Sequence, residues 1–124
     1  MGEERLTKAE RLLGRRDFTL AGKYGKRSTT QGMVLLVRNN RSKGTLGPRL
    51  GITVSRKVGK APLRNRLKRL CREYFRRNKF RFKAGHDYVV IFRKDQKIGR
   101  LSDLEARFEF LLRSRKDIKK SPRR

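Results

Sequence analysis

The segment at residues 64–77, RNRLKRLCREYFRR, places the strongest constraint on how this chain can fold. Half of its residues are Lys or Arg, and Glu73 is the one acid among them. Apolar residues nevertheless recur with the period of a helix and fall on one side of it at about 100° per residue. They are Leu63, Leu67, Leu70 and Tyr74, with Cys71 and Phe75 at the edge of the stripe. We therefore expect a long helix whose apolar side is core and whose remaining surface is a broad cationic face.

The same charge imbalance extends over the whole chain. Its 124 residues include 37 Lys or Arg and 11 Asp or Glu, for a formal net charge of +26. No acid occurs between Asp17 and Glu73, a stretch that holds fifteen Lys or Arg residues. A merely solvated helix face normally mixes both signs of charge, so this pattern favours a polyanionic partner. Nucleic acid is the first candidate, because Lys and Arg release counterions from its phosphates.

Three segments have the pattern of strands. GMVLLVR at 32–38 is apolar on both faces, which predicts a central strand. RLGITVS at 49–55 alternates between apolar and small or hydroxylated residues, and DYVVIFR at 87–93 predicts a further strand. We expect these strands to form one small sheet.

Two further segments have the pattern of helices. RRDFTLAGK at 15–23 predicts a short helix that ends at Gly25. LSDLEARFEFLLR at 101–113 predicts a helix with Ser102 and Glu105 as its capping box. The order is thus helix, two or three strands, long helix, strand, helix. It predicts one small α+β domain with helices packed on the sheet.

Cysteine content and hydropathy limit the remaining classes. Cys71 is the sole cysteine, which excludes an intrachain disulfide and argues against a cysteine-based metal site. No secretory segment is visible and no apolar run approaches transmembrane length, so we expect a cytoplasmic protein without a membrane partner.

The residue types of the cationic helix suit contact with nucleic acid. Arg outnumbers Lys there, which favours planar, bidentate contact with phosphate or base edges. Asn65 adds a side chain that both donates and accepts hydrogen bonds. Upstream, Arg56, Lys57 and Lys60 flank Gly59 in a turn where main-chain N–H groups could bind phosphate.

The residues alone leave the kind of nucleic acid open. A regular basic helix could enter the major groove of DNA, whereas RNA is gripped by shape, phosphates and unstacked bases. A basic ribosomal protein and a chromatin-like DNA binder are both compatible with this composition. A cationic membrane-active protein is less favoured, because the apolar side of the helix is needed for the core.

One stretch is more specific. SRKVGKAPLRNRLKRLCREYF, at 55–75, resembles the signature of bacterial ribonuclease P protein subunits, with its K-x-G-x-A turn and R-N-R-x-K-R-x-x-R helix. RRDF upstream and GHDYVVIFR downstream match that family in order and spacing. The resemblance covers residues 12–113, which leaves 1–11 as an extension and 114–124 as a basic tail that we expect to be disordered. It implies an αβββαβα fold with a small mixed sheet and a left-handed crossover, an exception to the usual handedness.

The resemblance also implies a function. Members of this family bind a catalytic RNA and the 5′ leader of precursor tRNA, and so promote endonucleolytic removal of the leader. Catalysis and its Mg²⁺ ions are expected in the RNA, with no cofactor bound by the protein itself and no obligate protein partner. The residues that match the family's RNA-contacting turn and helix are Arg56, Lys57, Lys60, Arg64, Asn65, Arg66, Lys68, Arg69 and Arg72. Some of these could instead support the fold, and Arg66, which lies nearest the apolar stripe, is the first candidate for that role.

A second site implied by the resemblance is a cleft for the single-stranded leader, between sheet and helices. Phe18 matches the first aromatic residue of that cleft. Gly22 stands where the family usually has a second aromatic residue, and Leu36 stands where some relatives have Tyr. Tyr24 could compensate for them, and the alternative for Phe18 is an ordinary core position.

A protein-borne nuclease is not expected. His86 is the only histidine, next to Asp87 at the start of a strand, where we expect it to lie in a solvated turn. The acids are scattered singly, without the spacing of paired carboxylates or metal ligands.

Overall fold

The computed structural model describes residues 14–40 and 47–113. Its main elements are α1 (Arg15–Tyr24), β1 (Lys26–Thr30), β2 (Met33–Asn39), β3 (Arg49–Val54), α2 (Ala61–Arg77), β4 (His86–Phe92) and α3 (Leu101–Leu112). Single 3₁₀ turns lie before and after α2, at Arg56–Val58 and Lys79–Arg81. The order is the predicted αβββαβα. The predicted extension at 1–11 and tail at 114–124 lie outside the described residues, and the domain limits stay predictions.

The four strands form one mixed sheet in the order β1-β2-β4-β3. β2 pairs antiparallel with both β1 and β4, whereas β3 and β4 are parallel. Helix α2 connects the two parallel strands, as a parallel pair requires a crossover. The α+β class and the mixed sheet are confirmed, and the left-handed sense of the crossover stays a prediction.

Strand β2 is central because both of its faces are apolar. Met33, Leu35 and Val37 join the main core, to which α2 and α3 contribute, while Val34 and Leu36 lie on the face covered by α1. All five are buried, so the prediction of a central strand is confirmed.

The apolar stripe of α2 is also confirmed. Its buried residues are Leu67, Cys71, Tyr74 and Phe75, with Leu63 and Leu70 half-buried against the same cluster. The ring of Tyr74 stacks on that of Phe108 of α3, with centroids 4.2 Å apart. Burial raises the pKa of the Tyr74 hydroxyl to about 12, and it also raises the pKa of the Cys71 thiol. The long helix is therefore held by a packed, largely aromatic interface.

The predicted capping box of α3 is wrong. The helix begins at Leu101, two residues earlier than it would begin with Ser102 as its cap. The Asp103 carboxylate caps it instead, accepting hydrogen bonds from the N–H groups of Gly99 and Arg100 at 2.8 and 3.0 Å. These two bonds lower the pKa of Asp103, because they favour its ionised form.

Candidate nucleic-acid interface

The outer surface of α2 carries the predicted cations. Asn65, Arg66, Arg69 and Arg72 are exposed, and Lys68 is half-buried. Within residues 14–40 and 47–113, the ion pairs of this helix join Glu73 to Arg76 and Arg77, and none involves Lys68, Arg69 or Arg72. We call Asn65, Lys68, Arg69 and Arg72 the α2 cationic face. No acid in the described part of the chain neutralises its three charges.

The turn before α2 continues this face. Arg56, Lys57 and Lys60 are exposed, whereas Val58 between them is buried and anchors the turn in the core. At Gly59 a Cβ would lie 2.7 Å from Leu63 Cδ2, so a larger residue would require the end of the Leu63 side chain to shift. The turn therefore presents three cations from a fixed main chain at the N-terminal end of α2.

Arg64 has a contact that the sequence did not predict. Its Nε donates to the carbonyl oxygen of Gly59 at 3.1 Å, so the side chain folds back along the turn and is half-buried. Arg64 thus helps to fix the turn whether or not its outer N–H groups contact RNA. The pattern of the sequence places Arg64 on the cationic side of the helix, but it gives no sign of this bond.

Arg66 connects α2 to the loop before α3. Its Nη2 donates to the carbonyl oxygen of Gly99. This contact agrees with the expectation that Arg66, among the predicted RNA contacts, supports the fold. Its guanidinium group remains exposed, so a contact with RNA stays a prediction.

Phe18 lies on the opposite side of the sheet. It is half-buried and packs with Ile91 against the small cluster of Ala21, Val34, Leu36 and Val89, between α1 and the sheet. Part of its ring is covered and part faces solvent. The structure therefore fits both a core position and a cleft position for Phe18.

The two departures from the family pattern differ in their surroundings. Gly22 points into open space, with no atom within 4 Å of where a Cβ would stand. Leu36 is only 5% exposed and is part of the sheet surface beneath α1. Between α1 and the sheet, Phe18 is thus the one aromatic residue among the clustered side chains of the described chain.

A buried ion-pair network at one end of this sheet face was missed by sequence reasoning. The strand register places Arg38 of β2 and Arg49 of β3 on either side of Asp87 of β4. Arg49 donates to both carboxylate oxygens of Asp87, at 2.9 and 3.0 Å, and Asn40 donates to it at 3.2 Å. Arg49 also donates to Asp17 of α1 at 3.2 Å. Asp87 is 1% exposed, so we call this set the Asp87 network.

The network ties the start of α1 to three strands. The hydrogen bonds that Arg49 donates to Asp87 raise the pKa of Arg49, and this effect outweighs the opposing effect of burial. The signal in the sequence was a single acid at the start of an otherwise apolar strand. It could be interpreted only with the register of the sheet.

The sequence predicts no catalytic or metal-binding cluster around His86 or the acidic residues. His86 is the first residue of β4 and not a turn residue as expected, and its Nδ1 lies 3.0 Å from the carbonyl oxygen of Ala84 in the preceding turn. Within 14–40 and 47–113, no three His, Cys, Asp or Glu side chains come together as metal ligands. No helix in these ranges is long and apolar enough to cross a membrane.

Comparison with known proteins identifies the family. Residues 6–116 match the family model described as Ribonuclease P. The chain belongs to the bacterial ribonuclease P protein family. The ribonuclease P protein component of Thermotoga maritima is 52% identical over 91 residues, which cover 73% of this chain and 75% of that protein. The ribonuclease P protein component of Syntrophus aciditrophicus is 48% identical over 86 residues, which cover 69% of this chain and 70% of that protein.

Solved structures of ribonuclease P proteins share the fold. The protein of Staphylococcus aureus superposes with a TM-score of 0.79 at 33% identity, covering 90% of this chain and 100% of the other. The protein of Thermotoga maritima superposes with a TM-score of 0.71 at 43% identity, covering 86% of this chain and 98% of the other. The resemblance found in the sequence is confirmed. This ribonuclease P protein is a component of an endoribonuclease of tRNA processing.

Proposed function

We propose that this ribonuclease P protein binds the catalytic RNA subunit through the α2 cationic face and the turn before it. The observation that carries this proposal is the absence of acidic partners for Lys68, Arg69 and Arg72 within the described ranges. Three like charges close together on one helix repel one another. Phosphates would relieve that repulsion and would release counterions from the RNA.

The geometry suits a folded RNA surface. The opposite side of α2 is packed into the core, so the face is presented on a rigid support. Arg64 and Arg66 each use one donor on main-chain carbonyl groups and keep other N–H groups for phosphate oxygens. These two residues would both position the surface and contact RNA.

We further propose that the cleft beside Phe18 takes the 5′ leader of precursor tRNA. Bound single strands are held by aromatic stacking above a basic groove, and Phe18 supplies a partly exposed ring. The protein would position the leader and neutralise phosphates in the cytoplasm, without an obligate protein partner. The RNA and its Mg²⁺ would supply the endonucleolytic chemistry.

The first experiment tests the RNA interface. Arg69→Ala and Arg72→Ala should each weaken assembly with the RNA subunit by about 1–3 kcal/mol and leave the melting temperature unchanged. Arg77→Ala is the matched control, because Glu73 already neutralises Arg77 at 2.8 Å on the same helix.

The salt dependence gives a second measure of the same interface. If six or more phosphates are neutralised, log K against log salt should have a slope of about −4 or steeper. A slope near −1 would show that the face is solvated in the complex, and equal losses in all three variants would show that Arg69 and Arg72 act only through general charge.

The second experiment tests the leader cleft. Phe18→Ala should leave RNA assembly intact and lower the preference for precursor over mature tRNA by about 1–3 kcal/mol. Phe110→Ala removes a 59% exposed ring from α3 and serves as the control. A folded Phe18→Ala variant with unchanged preference for precursor over mature tRNA would contradict the assignment of Phe18 to the leader cleft. Unfolding of that variant would assign Phe18 to the core.

Dependence of precursor cleavage on the RNA subunit distinguishes the proposed function from that of other basic nucleic-acid-binding proteins. Adding the protein to a cognate RNA subunit should accelerate precursor cleavage at low Mg²⁺. No acceleration would contradict the proposed function.

A further inference from the structure

A groove of about 500 Å³ opens beside the C-terminal end of α1, where β2 ends and β4 begins. Its lining residues are Tyr24, Lys26, Val37, Arg38, Asn39 and His86. We call it the Tyr24 groove. None of the lining residues within 14–40 and 47–113 is acidic, and they combine an aromatic surface with positive charge.

Tyr24 supplies the aromatic surface. It is 66% exposed, and Lys23 Nζ lies 5.8 Å from the centre of its ring. An exposed ring close to cations is the arrangement on which bases of single-stranded nucleic acids stack.

Lys26 and Arg38 supply the charge. Lys26 is exposed, and Arg38 lies deeper, with a side chain that is 19% exposed. The buried Nη1 of Arg38 has no hydrogen-bond partner among the described residues, although it lies 3.5 Å from Asp87. Nη1 itself is buried, so an incoming acceptor such as a phosphate oxygen would meet the exposed remainder of the Arg38 side chain.

His86 adds a group of another kind. Its Nδ1 lies 3.0 Å from the carbonyl oxygen of Ala84, which favours a proton on Nδ1 and leaves Nε2 as an acceptor. A ribose 2′-hydroxyl is a donor that such a nitrogen can bind.

We propose that the Tyr24 groove binds one nucleotide of single-stranded RNA, with its base stacked on Tyr24 and its phosphate held by Lys26 and Arg38. The inference rests on the proposed function for the identity of that strand, which is the 5′ leader of precursor tRNA. It extends the path of the leader to a second subsite.

This subsite is separate from the cleft at Phe18. Tyr24 follows Phe18 by six residues, which corresponds to about 9 Å along the helix axis and about 120° around it. The two rings therefore serve different sides of α1, and each would stack with a different nucleotide.

Tyrosine fluorescence of the unlabelled full chain tests the groove. The chain has no Trp, and Tyr74 and Tyr88 are buried, so Tyr24 is the tyrosine that a base can reach. A short single-stranded oligoribonucleotide should quench the emission. Inorganic polyphosphate, which offers charge without bases, should not.

Variants then test the two contacts separately, at a salt concentration that suppresses binding of polyphosphate. Tyr24→Ala should weaken oligoribonucleotide binding by about 5-fold to 150-fold, whereas Tyr24→Phe should retain it because Phe also stacks. Lys26→Ala should reduce the salt slope by about 0.7. Phe110→Ala removes an exposed ring elsewhere and should change nothing.

Three results would overturn the proposal. The first is a tyrosine emission that does not change when the oligoribonucleotide saturates the protein. The second is wild-type affinity for the oligoribonucleotide in both Tyr24→Ala and Lys26→Ala. The third is quenching by AMP that is as strong as quenching by the oligoribonucleotide. The last would identify a site for free mononucleotides in place of a strand.

A cleavage assay with the assembled ribonucleoprotein separates this inference from the proposed function. The leader of the precursor tRNA is shortened one nucleotide at a time. The effects of Phe18→Ala and Tyr24→Ala on cleavage should disappear at different leader lengths. If Phe18→Ala has no effect at any length, the proposed leader cleft fails. If Phe18→Ala acts and Tyr24→Ala does not, the second subsite is overturned.

Discussion

Replacing Asp87 by Asn would retain the shape of the side chain and remove its charge from the Asp87 network. The carboxylate is 1% exposed and accepts from Arg49 at 2.9 and 3.0 Å and from Asn40 at 3.2 Å. In the variant, the buried Arg49 would lose its main counterion, and an amide N–H would face its guanidinium group. We therefore expect Asp87→Asn to destabilise the fold strongly.

The magnitude follows from the surroundings of Arg49. Removal of one partner from a buried ion pair costs about 3–5 kcal/mol, because the other charge is left uncompensated. Asp17 remains 3.2 Å from Arg49, so the loss should fall at the lower end, about 3 kcal/mol. That is about two orders of magnitude in the folding equilibrium.

Urea unfolding of the two proteins measures this difference. Glu73→Gln is the control, since it breaks a partly exposed ion pair with Arg77 and should cost about 0–1 kcal/mol. Adding Arg49→Met to Asp87→Asn should recover part of the loss, because it removes the uncompensated charge. A loss below about 1 kcal/mol for Asp87→Asn, or strictly additive effects in the double variant, would refute the reasoning.

Other perturbations have equally definite outcomes. Gly22→Ala should stabilise the fold by about 0.5–1 kcal/mol in thermal melts, because the position is helical and faces open space. Gly32→Ala should destabilise the fold, since Gly32 has φ +70° and a Cβ there would lie 2.2 Å from Gln96 Cα. Equal melting temperatures for Gly22→Ala and Gly32→Ala would contradict this contrast. The Tyr74 hydroxyl has its pKa raised to about 12, so the native state holds that proton more tightly than the unfolded state does. Stability should therefore fall as pH rises from about 10 to 12, less so in Tyr74→Phe, as alkaline urea titrations would show. Cys71 is fully buried and its pKa is raised, so alkylation in native buffer should proceed only at the rate of unfolding, and rapid labelling would contradict that burial. Sulfate or phosphate should raise the melting temperature of the isolated protein, and an anion-independent melt would mean that self-repulsion does not limit its stability.

Much of the fold could be predicted because its strongest elements carry clear periodic patterns. The α2 stripe alternates with cations at helical spacing, and β2 is apolar throughout. β1 (Lys26–Thr30) has no apolar residue and was not located, because an exposed edge strand has little hydrophobic signal. It is defined by its pairing with β2 through the turn at Gly32.

The candidate site was predictable in composition but not in contacts. The sequence placed the cations of α2 on one face, and their exposure follows from the opposite, buried stripe. It could not show that Arg64 bonds to Gly59 or that Arg66 bonds to Gly99, since both contacts depend on side-chain direction and loop path. Asp87 shows the same limit, because strands far apart in sequence bring Arg38 and Arg49 beside it.

Strand β3 has a consequence for any attempt to re-engineer this protein. Leu50, Ile52 and Val54 face the core beneath α2, while Gly51 and Thr53 alternate with them toward the side of α1. Inserting or deleting one residue in this strand would exchange the two sets and turn apolar side chains toward α1 and the proposed leader cleft. Redesign of the α1 side of the sheet must therefore proceed by substitution at fixed strand length, because the same six-residue strand also forms part of the core beneath α2.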